Sequence, residues 1–409
     1  MLKIGMIGAG FVAKFHERAL RSVRNAELAG VCALKGAEAL AQTARQNGLG
    51  NTKVYGSIEE LTRAVDVVCV FAPNFARVEM MRQIAAAVEG GARIKGIIVE
   101  KPLARNFGEA DTLARIAKAM GVPTAYFENQ IHMPAIVQAR AQLAQVEKAM
   151  GAAHLARSAE EHGGPHEPWF WDPTTQGGGV CCDMGCHSIA CGMYMVTPQG
   201  KPVNYLKPLR VNATMALLKW VKEPWLGQLK QRGVDYSKIP AEDYSSVTVE
   251  FEDPQTRQGS IVQATNSWMY DAPGLRLLME TFGPGYSYTV NSLQSPAGLF
   301  ISDAAATAVM DGELALEKSQ ASRGSLILQP DEASLYGYVA EWIDALTAFE
   351  QGRDALLNLE FGRLITLLIM AAYMSHERRK VIDLTDPATL GELQVYVPLI
   401  QKGEGRQVL

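Results

Sequence analysis

The sequence predicts an α/β protein: an N-terminal doubly wound parallel sheet followed by an α/β domain with a mostly antiparallel open sheet. Three observations carry this. A glycine-rich turn follows the first apolar run, strand and helix patterns then alternate up to about residue 128, and beyond Asn129 strand patterns succeed one another with few helices between. With 409 residues, two domains are expected, 1–128 and 129–409.

Taken in order, Lys3–Ile7 reads as a buried strand ending at Gly8-Ala9-Gly10-Phe11-Val12-Ala13, a G-x-G-x-x-G/A pattern. The first glycine permits the turn, the second lets backbone approach a pyrophosphate, and the small Ala13 lets helix and strand pack closely. A helix from Val12 to about Val23 offers its N-terminal N–H groups to phosphate. Glu27–Cys32 is the second strand, and Ala37 to Asn47 an Ala-rich helix closed by Gly48. Val65–Phe71 is a continuous β-rich run, as a strand covered on both faces requires. Ala76–Glu89 is helical, Gly96–Val99 a strand, Phe107–Met120 a helix and Thr124–Phe127 a strand. The order is that of a Rossmann domain.

The second half opens on a helix, Pro134–Met150. Strands are expected at Ala153–Ser158, Leu209–Leu218, Ser245–Glu250, Ser260–Ser267, Leu275–Thr281 and Tyr286–Asn291. Helices are expected at Gly185–Met195, Glu332–Phe349 and Phe361–His376, and Trp220–Tyr244, polar and aperiodic, reads as an insertion or long loop.

Composition excludes several functions. The net charge of −4 and pI near 6.0 give no basic surface for nucleic acid or a membrane. The apolar stretch Leu364–Tyr373 is too short to span a bilayer, and the fingerprint at Gly8 leaves no room for a leader peptide. The six cysteines, at 32, 69, 181, 182, 186 and 191, form no disulfide framework; reduced thiols and a cytoplasmic location are expected. A zinc site is disfavoured because no C-x-x-C pair exists and Cys181 and Cys182 are adjacent, so inert packing thiols and no metal are expected.

Two segments carry chemistry. Strand Ile97–Val99 runs into Glu100-Lys101-Pro102, at the sheet edge where ligands of doubly wound folds lie. Pro102 restrains Lys101, whose amine can hydrogen-bond or exchange a proton with a bound hydroxyl; a surface Glu–Lys pair is the plainer alternative. The second segment is Gly177-Gly178-Gly179 followed by Asp183 and His187. The glycines allow close approach of a ligand, and a helical spacing of four puts Asp183 and His187 on one face, where the carboxylate raises the basicity of the imidazole. Between the domains' motifs, Glu160–Asp172 gathers His162, His166, Trp169 and Trp171, a composition suited to hydroxyls and the C–H face of a sugar. The alternative is that the tryptophans are core.

These motifs, with Ala72-Pro73-Asn74 and the closing Glu360-Phe361-Gly362-Arg363 and Ala372-Tyr373-Met374-Ser375, resemble the glucose–fructose oxidoreductase / inositol dehydrogenase / MocA family over nearly the whole chain. The resemblance implies a nicotinamide-dependent oxidoreductase of a sugar, cyclitol or glycoside hydroxyl, and a C-terminal sheet that joins copies into a homo-oligomer. It matches the catalytic lysine to Lys101 and the acid–histidine pair to Asp183 and His187. The cofactor would lie along Gly8, Gly10, Phe11, Val12, Ala13, Ala33, Lys35, Ala72, Pro73, Asn74, Glu100 and Lys101. The chain departs from the family in two places. Arg77 stands where a histidine usually follows the Pro-Asn turn, and Val31-Cys32-Ala33-Leu34-Lys35 lacks the acid that holds a free ribose, which tilts the cofactor weakly toward NADP through Lys35; a solvated loop lysine is the alternative. Two other readings are an enzyme that recycles a tightly held nicotinamide and a non-catalytic NAD(P) sensor.

Overall fold

In the computed structural model, which describes residues 1–272, 274–292, 298–301, 324–327 and 331–409, the first strand β1 is Leu2–Ile7. The helix α1 (Phe11–Leu20) starts directly after Gly10. Strands β2 (Ala26–Cys32), β3 (Lys53–Val54), β4 (Val67–Val70), β5 (Gly96–Glu100) and β6 (Thr124–Phe127) join β1 in one parallel sheet of order β3-β2-β1-β4-β5-β6. The order reverses between β1 and β4, which is where a doubly wound sheet opens its ligand crevice. Every residue of β4 and β5 is buried, as continuous apolar strands covered on both faces must be.

Helices α2 (Ala37–Gln46), α4 (Arg77–Glu89) and α5 (Phe107–Met120) stand close to their expected places. The expectation left 49–64 unassigned; that stretch holds β3 and α3 (Ile58–Ala64). The helix carries a readable start signal, because Ser57 Oγ accepts from Glu60 N at 3.1 Å while Glu60 reaches back to Gly56 N at 3.1 Å.

The chain divides into two units, and the division departs from the expected boundary at 128. The first comprises Met1–Pro134, Tyr336–Leu367 and Leu393–Tyr396; the second comprises the rest. The physical reason lies at the β6 edge. Thr124 N donates to Asp354 Oδ1 at 2.7 Å and Tyr126 N to Leu357 O at 2.9 Å, so a C-terminal segment completes the first unit. The expected single helix Glu332–Phe349 is two, Glu332–Leu335 and Tyr338–Glu350. They are broken at Gly337, whose φ of 90° suits glycine and whose Cβ would overlap the Asn129 carbonyl.

In the second unit, β7 (Leu155–Glu161), β8 (Lys207–Ala216), β9 (Tyr244–Glu252), β10 (Gly259–Ser267), β11 (Arg276–Gly283), β12 (Tyr286–Asn291) and Ile382–Asp383 form a sheet. Its order is β12-β11-β7-β10-β9-β8 with Ile382–Asp383 outermost. The β7–β10 pair is parallel and the other pairs are antiparallel. A separate antiparallel pair joins Gly298–Ile301 to Gly324–Ile327. Burial alternates along β9 and β10, so one face is covered and the other is partly exposed. The helix Cys186–Val196 covers the first face, and Gly192 sits so close to β10 that a Cβ would overlap Val262.

Trp220–Tyr244 is not a bare loop. It contains the helix Trp225–Gln231, and Tyr236, Glu242 and Asp243 in it are fully buried. The three N–H groups of Leu218, Lys219 and Trp220 donate to the Asp243 carboxylate at 2.7, 2.7 and 2.9 Å, which fixes the end of β8.

Candidate functional site

At the β1–α1 turn the glycines serve two purposes. Gly8 has φ of 112°, and a Cβ there would overlap the Phe71 carbonyl just past the end of β4, so this glycine lets β1 end tightly. Gly10 has an ordinary φ of −77° and would meet nothing within 4 Å through a Cβ. It precedes α1 with no side chain to cap the helix, so the space before the first N–H groups is open, as a pyrophosphate requires. Phe11 is exposed, Val12 half-buried and Ala13 fully buried against the sheet. Ala33 is half-buried and Lys35 exposed beyond the end of β2, while Ala72 and Asn74 are buried and Pro73 half-buried beyond β4.

The Glu100-Lys101-Pro102 corner is held from beneath. Glu100, expected beside the cofactor, is buried with its Oε1 2.8 Å from His16 Nε2. Trp342 Nε1 donates to His16 Nδ1 at 3.1 Å, so Nε2 is the ring nitrogen that faces Glu100. The His16 ring stacks on Phe71 at 4.3 Å. Burial pushes the Glu100 carboxyl up, but the hydrogen bond and electrostatic interaction with His16, followed by the charges of Lys101 and Arg77, outweigh it and hold the group below its ordinary range. Arg77, also buried, donates to the carbonyls of Ala72 (3.0 Å), Glu100, Pro102, Leu103 (3.4 Å) and Lys101 (3.5 Å). One guanidinium thus ties the turn after β4 to the corner bearing Lys101, which is half-buried. His16 and Trp342 were not singled out in the sequence; a histidine on the buried face of α1 has no local pattern to mark it.

In the second unit two glycines of the triple, Gly178 and Gly179, are backed by protein. A Cβ on Gly178 would overlap the Tyr373 hydroxyl, and one on Gly179 would overlap the Glu242 backbone and come 2.8 Å from its carboxylate. The expected ligand approach at these two glycines is therefore corrected: their missing side chains admit Tyr373 and Glu242. The chain then makes one π-helical turn, Cys181–Gly185, before Cys186–Val196 continues as α-helix. Asp183 lies in the π turn and His187 at the start of the α-helix, both buried. The thiols of Cys181, Cys182, Cys186 and Cys191 are buried too; Cys186 Sγ donates to Asp183 O at 3.2 Å and Cys191 Sγ lies 3.4 Å from Met279 sulfur.

The histidine- and tryptophan-rich segment splits. Trp171 is 2 % exposed, donates to Pro165 O at 3.1 Å and meets Trp220, Trp268 and Tyr236 edge-on at 4.8, 4.9 and 5.2 Å. It is a core residue, which corrects the expectation that it faces substrate. Trp169 is half-buried with its ring 3.9 Å from Phe170, and His166 is exposed. His162 Nδ1 accepts from Gly164 N at 2.9 Å and so shapes the loop.

Comparison with known proteins agrees with this architecture. Residues 2–127 match the oxidoreductase family with an NAD-binding Rossmann fold, and residues 137–283 match the GFO/IDH/MocA C-terminal domain. Glucose-6-phosphate 3-dehydrogenase of Bacillus subtilis (strain 168) is 32% identical over 127 residues, 30% of this chain and 32% of that protein. D-glucoside 3-dehydrogenase of Escherichia coli (strain K12) is 30% identical over 211 residues, 50% of this chain and 56% of that protein. The chain thus spans about a third and just over half of these relatives. The crystal structure of GenD2 from gentamicin A biosynthesis in complex with NAD is similar in fold, with a TM-score of 0.72 at 24% identity over 94% of this chain and 96% of that one. Among the described residues no helix is long and apolar enough to cross a membrane.

Proposed function

We propose, for a chain that belongs to the GFO/IDH/MocA oxidoreductase family in both of its domains, an enzyme that moves a hydride between NAD(P) and a secondary hydroxyl or ketone of a sugar, cyclitol or glycoside. The observation that carries the reading is the first unit's ligand edge. Open space lies before the N–H groups of α1 at Gly10, and on the same sheet edge Lys101 stands on a corner clamped by Arg77 and underpinned by His16. The dinucleotide fits this edge, held by Gly8, Gly10, Phe11, Val12 and Ala13 at its phosphates and by Ala72, Pro73 and Asn74 further along. When bound, nicotinamide supplies the hydride acceptor at the carbon being oxidised.

The roles fall residue by residue. In the oxidative direction His187 takes the hydroxyl proton, Asp183 orients the imidazole, and Lys101 stabilises the alkoxide that develops. Glu100 keeps its carboxylate on His16 and so serves the corner. His166 and Trp169 are the sugar-facing candidates of the loop, with His162 shaping it. The absence of a carboxylate at Ala33 and the exposed Lys35 favour NADP over NAD. The half-exposed face of the second sheet suits contact between two copies, and six reduced thiols suit the cytoplasm. The deciding test is a panel of sugars, cyclitols and glycosides offered with NAD and with NADP, followed by the near-ultraviolet absorbance of the reduced cofactor. Turnover with one class supports the reading, and binding of the dinucleotide without turnover on any member would replace it with a sensor.

A further inference from the structure

We propose that Glu242 is a positioning residue: with Tyr373 it sets the turn that carries Asp183 and His187, and its ionisation tightens that turn. The inference rests on the roles given above to Asp183 and His187.

Glu242 is wholly buried, and three donor groups converge on its carboxylate. Oε1 accepts from Cys181 N at 2.9 Å, Gly179 N at 3.1 Å and Tyr373 Oη at 2.6 Å, and Oε2 accepts from Gly179 N at 3.2 Å. The Glu242 carbonyl takes Val180 N at 3.0 Å. Three successive residues, Gly179, Val180 and Cys181, therefore hang their N–H groups on one side chain and its own backbone, two residues before Asp183. A neutral acid in the same place would present its own O–H to a ring of donors and lose part of this hold. Burial pushes the carboxyl up to about 7, opposed by the hydrogen bonds from Tyr373, Cys181 and Gly179. The titratable groups facing Glu242 are Tyr373 on the helix Leu359–Arg378, Cys181 on the turn, Tyr236 on the preceding segment and its neighbour Asp243, which is spent on the end of β8; Cys182 on the turn faces Tyr373. Burial and the Glu242 charge raise Cys181, Tyr236 and Tyr373 well above their ordinary values, so these three stay protonated at neutral pH.

The test uses the full-length protein, Glu242→Gln and Tyr373→Phe. Amide hydrogen exchange of the segment 177–187, corrected for intrinsic rates, is followed from pH 5.5 to 8.5 alongside kcat, KM and cofactor affinity. Protection of the wild-type segment against local openings that withdraw the N–H donors but leave Glu242 dry should rise roughly 10- to 100-fold through a midpoint near 7. In Glu242→Gln the segment should exchange fast throughout, and kcat should fall and lose that inflection while cofactor affinity holds. Tyr373→Phe removes a hydrogen bond that lowers the Glu242 value, so its midpoint should move to higher pH, which decides the matter if Glu242→Gln fails to fold. A flat exchange profile in the wild type, a midpoint unmoved by Tyr373→Phe, or an unchanged kcat profile in Glu242→Gln would overturn the proposal. If no substrate turns over but the exchange profile behaves as stated, the positioning of the turn stands and the functional reading falls.

Discussion

At Gly10 a Cβ would meet nothing within 4 Å, whereas at Gly179 it would run into the backbone and carboxylate of Glu242. Both glycines belong to turns that lead into helices, and a sequence reading gives both the same purpose, closeness to a ligand. The first leaves its space open at the N-terminus of α1. The second spends it on the protein's own buried acid. A glycine-rich turn therefore records that something comes close to the backbone, and only the three-dimensional neighbours tell whether it is ligand or chain.

Alanine tests the comparison most sharply. Gly179→Ala and Gly178→Ala must displace Glu242 or Tyr373, and each should cost at least ~3 kcal/mol in urea unfolding. Gly10→Ala should stay within about 1 kcal/mol of wild type while weakening dinucleotide binding roughly 10- to 100-fold. If Gly179→Ala unfolded like wild type and lost only ligand affinity, the two turns would be alike after all.

Next come the residues given reacting roles. Lys101→Ala and His187→Ala should each lower kcat by ~10²–10⁴ in steady-state assays, with cofactor affinity little changed. Near-normal turnover in His187→Ala would remove the proton-transfer role from the second unit and leave the first unit's edge as a binding site alone.

The aromatic loop repeats the lesson between Trp169 and Trp171. Trp171→Ala should cost ~3–5 kcal/mol, because the ring fills a cluster with Trp220, Trp268 and Tyr236. Trp169→Ala should instead raise KM for the sugar with stability nearly kept. Thermal unfolding beside kinetics separates the two, and an equal loss of stability in both would return Trp169 to the core.

What could be read from the sequence follows from range. The Gly8–Ala13 turn, the Glu100-Lys101-Pro102 corner and the strands around them are local patterns, and they lie where the periodicity put them. Ser57-Ile58-Glu59-Glu60 is an equally local capping signal, which marks the start of α3. Glu242 could not be found that way, because its partners Gly179 and Tyr373 lie 63 and 131 residues away in a stretch without period. Trp171 was ambiguous for a related reason: composition cannot say whether an indole faces a sugar or three other rings.

The last prediction sets the two buried carboxylates against each other by pH. Glu242 is raised in the folded protein from the ordinary 4.5 to about 7. Its contribution to stability is complete below 4.5 and is lost as pH rises to about 7, at most about 3 kcal/mol at ~1.4 kcal/mol per pH unit. Glu100 is lowered in the folded protein, so its contribution is present above the ordinary 4.5 and is lost as pH falls through the lower folded value. Melting temperatures of wild type, Glu242→Gln and Glu100→Gln over pH 3.5–8 check the signs. Global unfolding hydrates Glu242, unlike a local opening of its turn, so in melting the wild type should lose ground to Glu242→Gln between pH 4.5 and about 7, and its advantage over Glu100→Gln should shrink only below about pH 4.5. The opposite signs come from the partners. Glu100 shares its burial with His16 and two nearby cations, while Glu242 has only neutral N–H and O–H donors to offset its desolvation, so charge at the first site is balanced and at the second is merely solvated by protein. Equal signs in the two variants would mean that the donors around Glu242 outweigh its burial, and the proton would then leave that site well below neutrality.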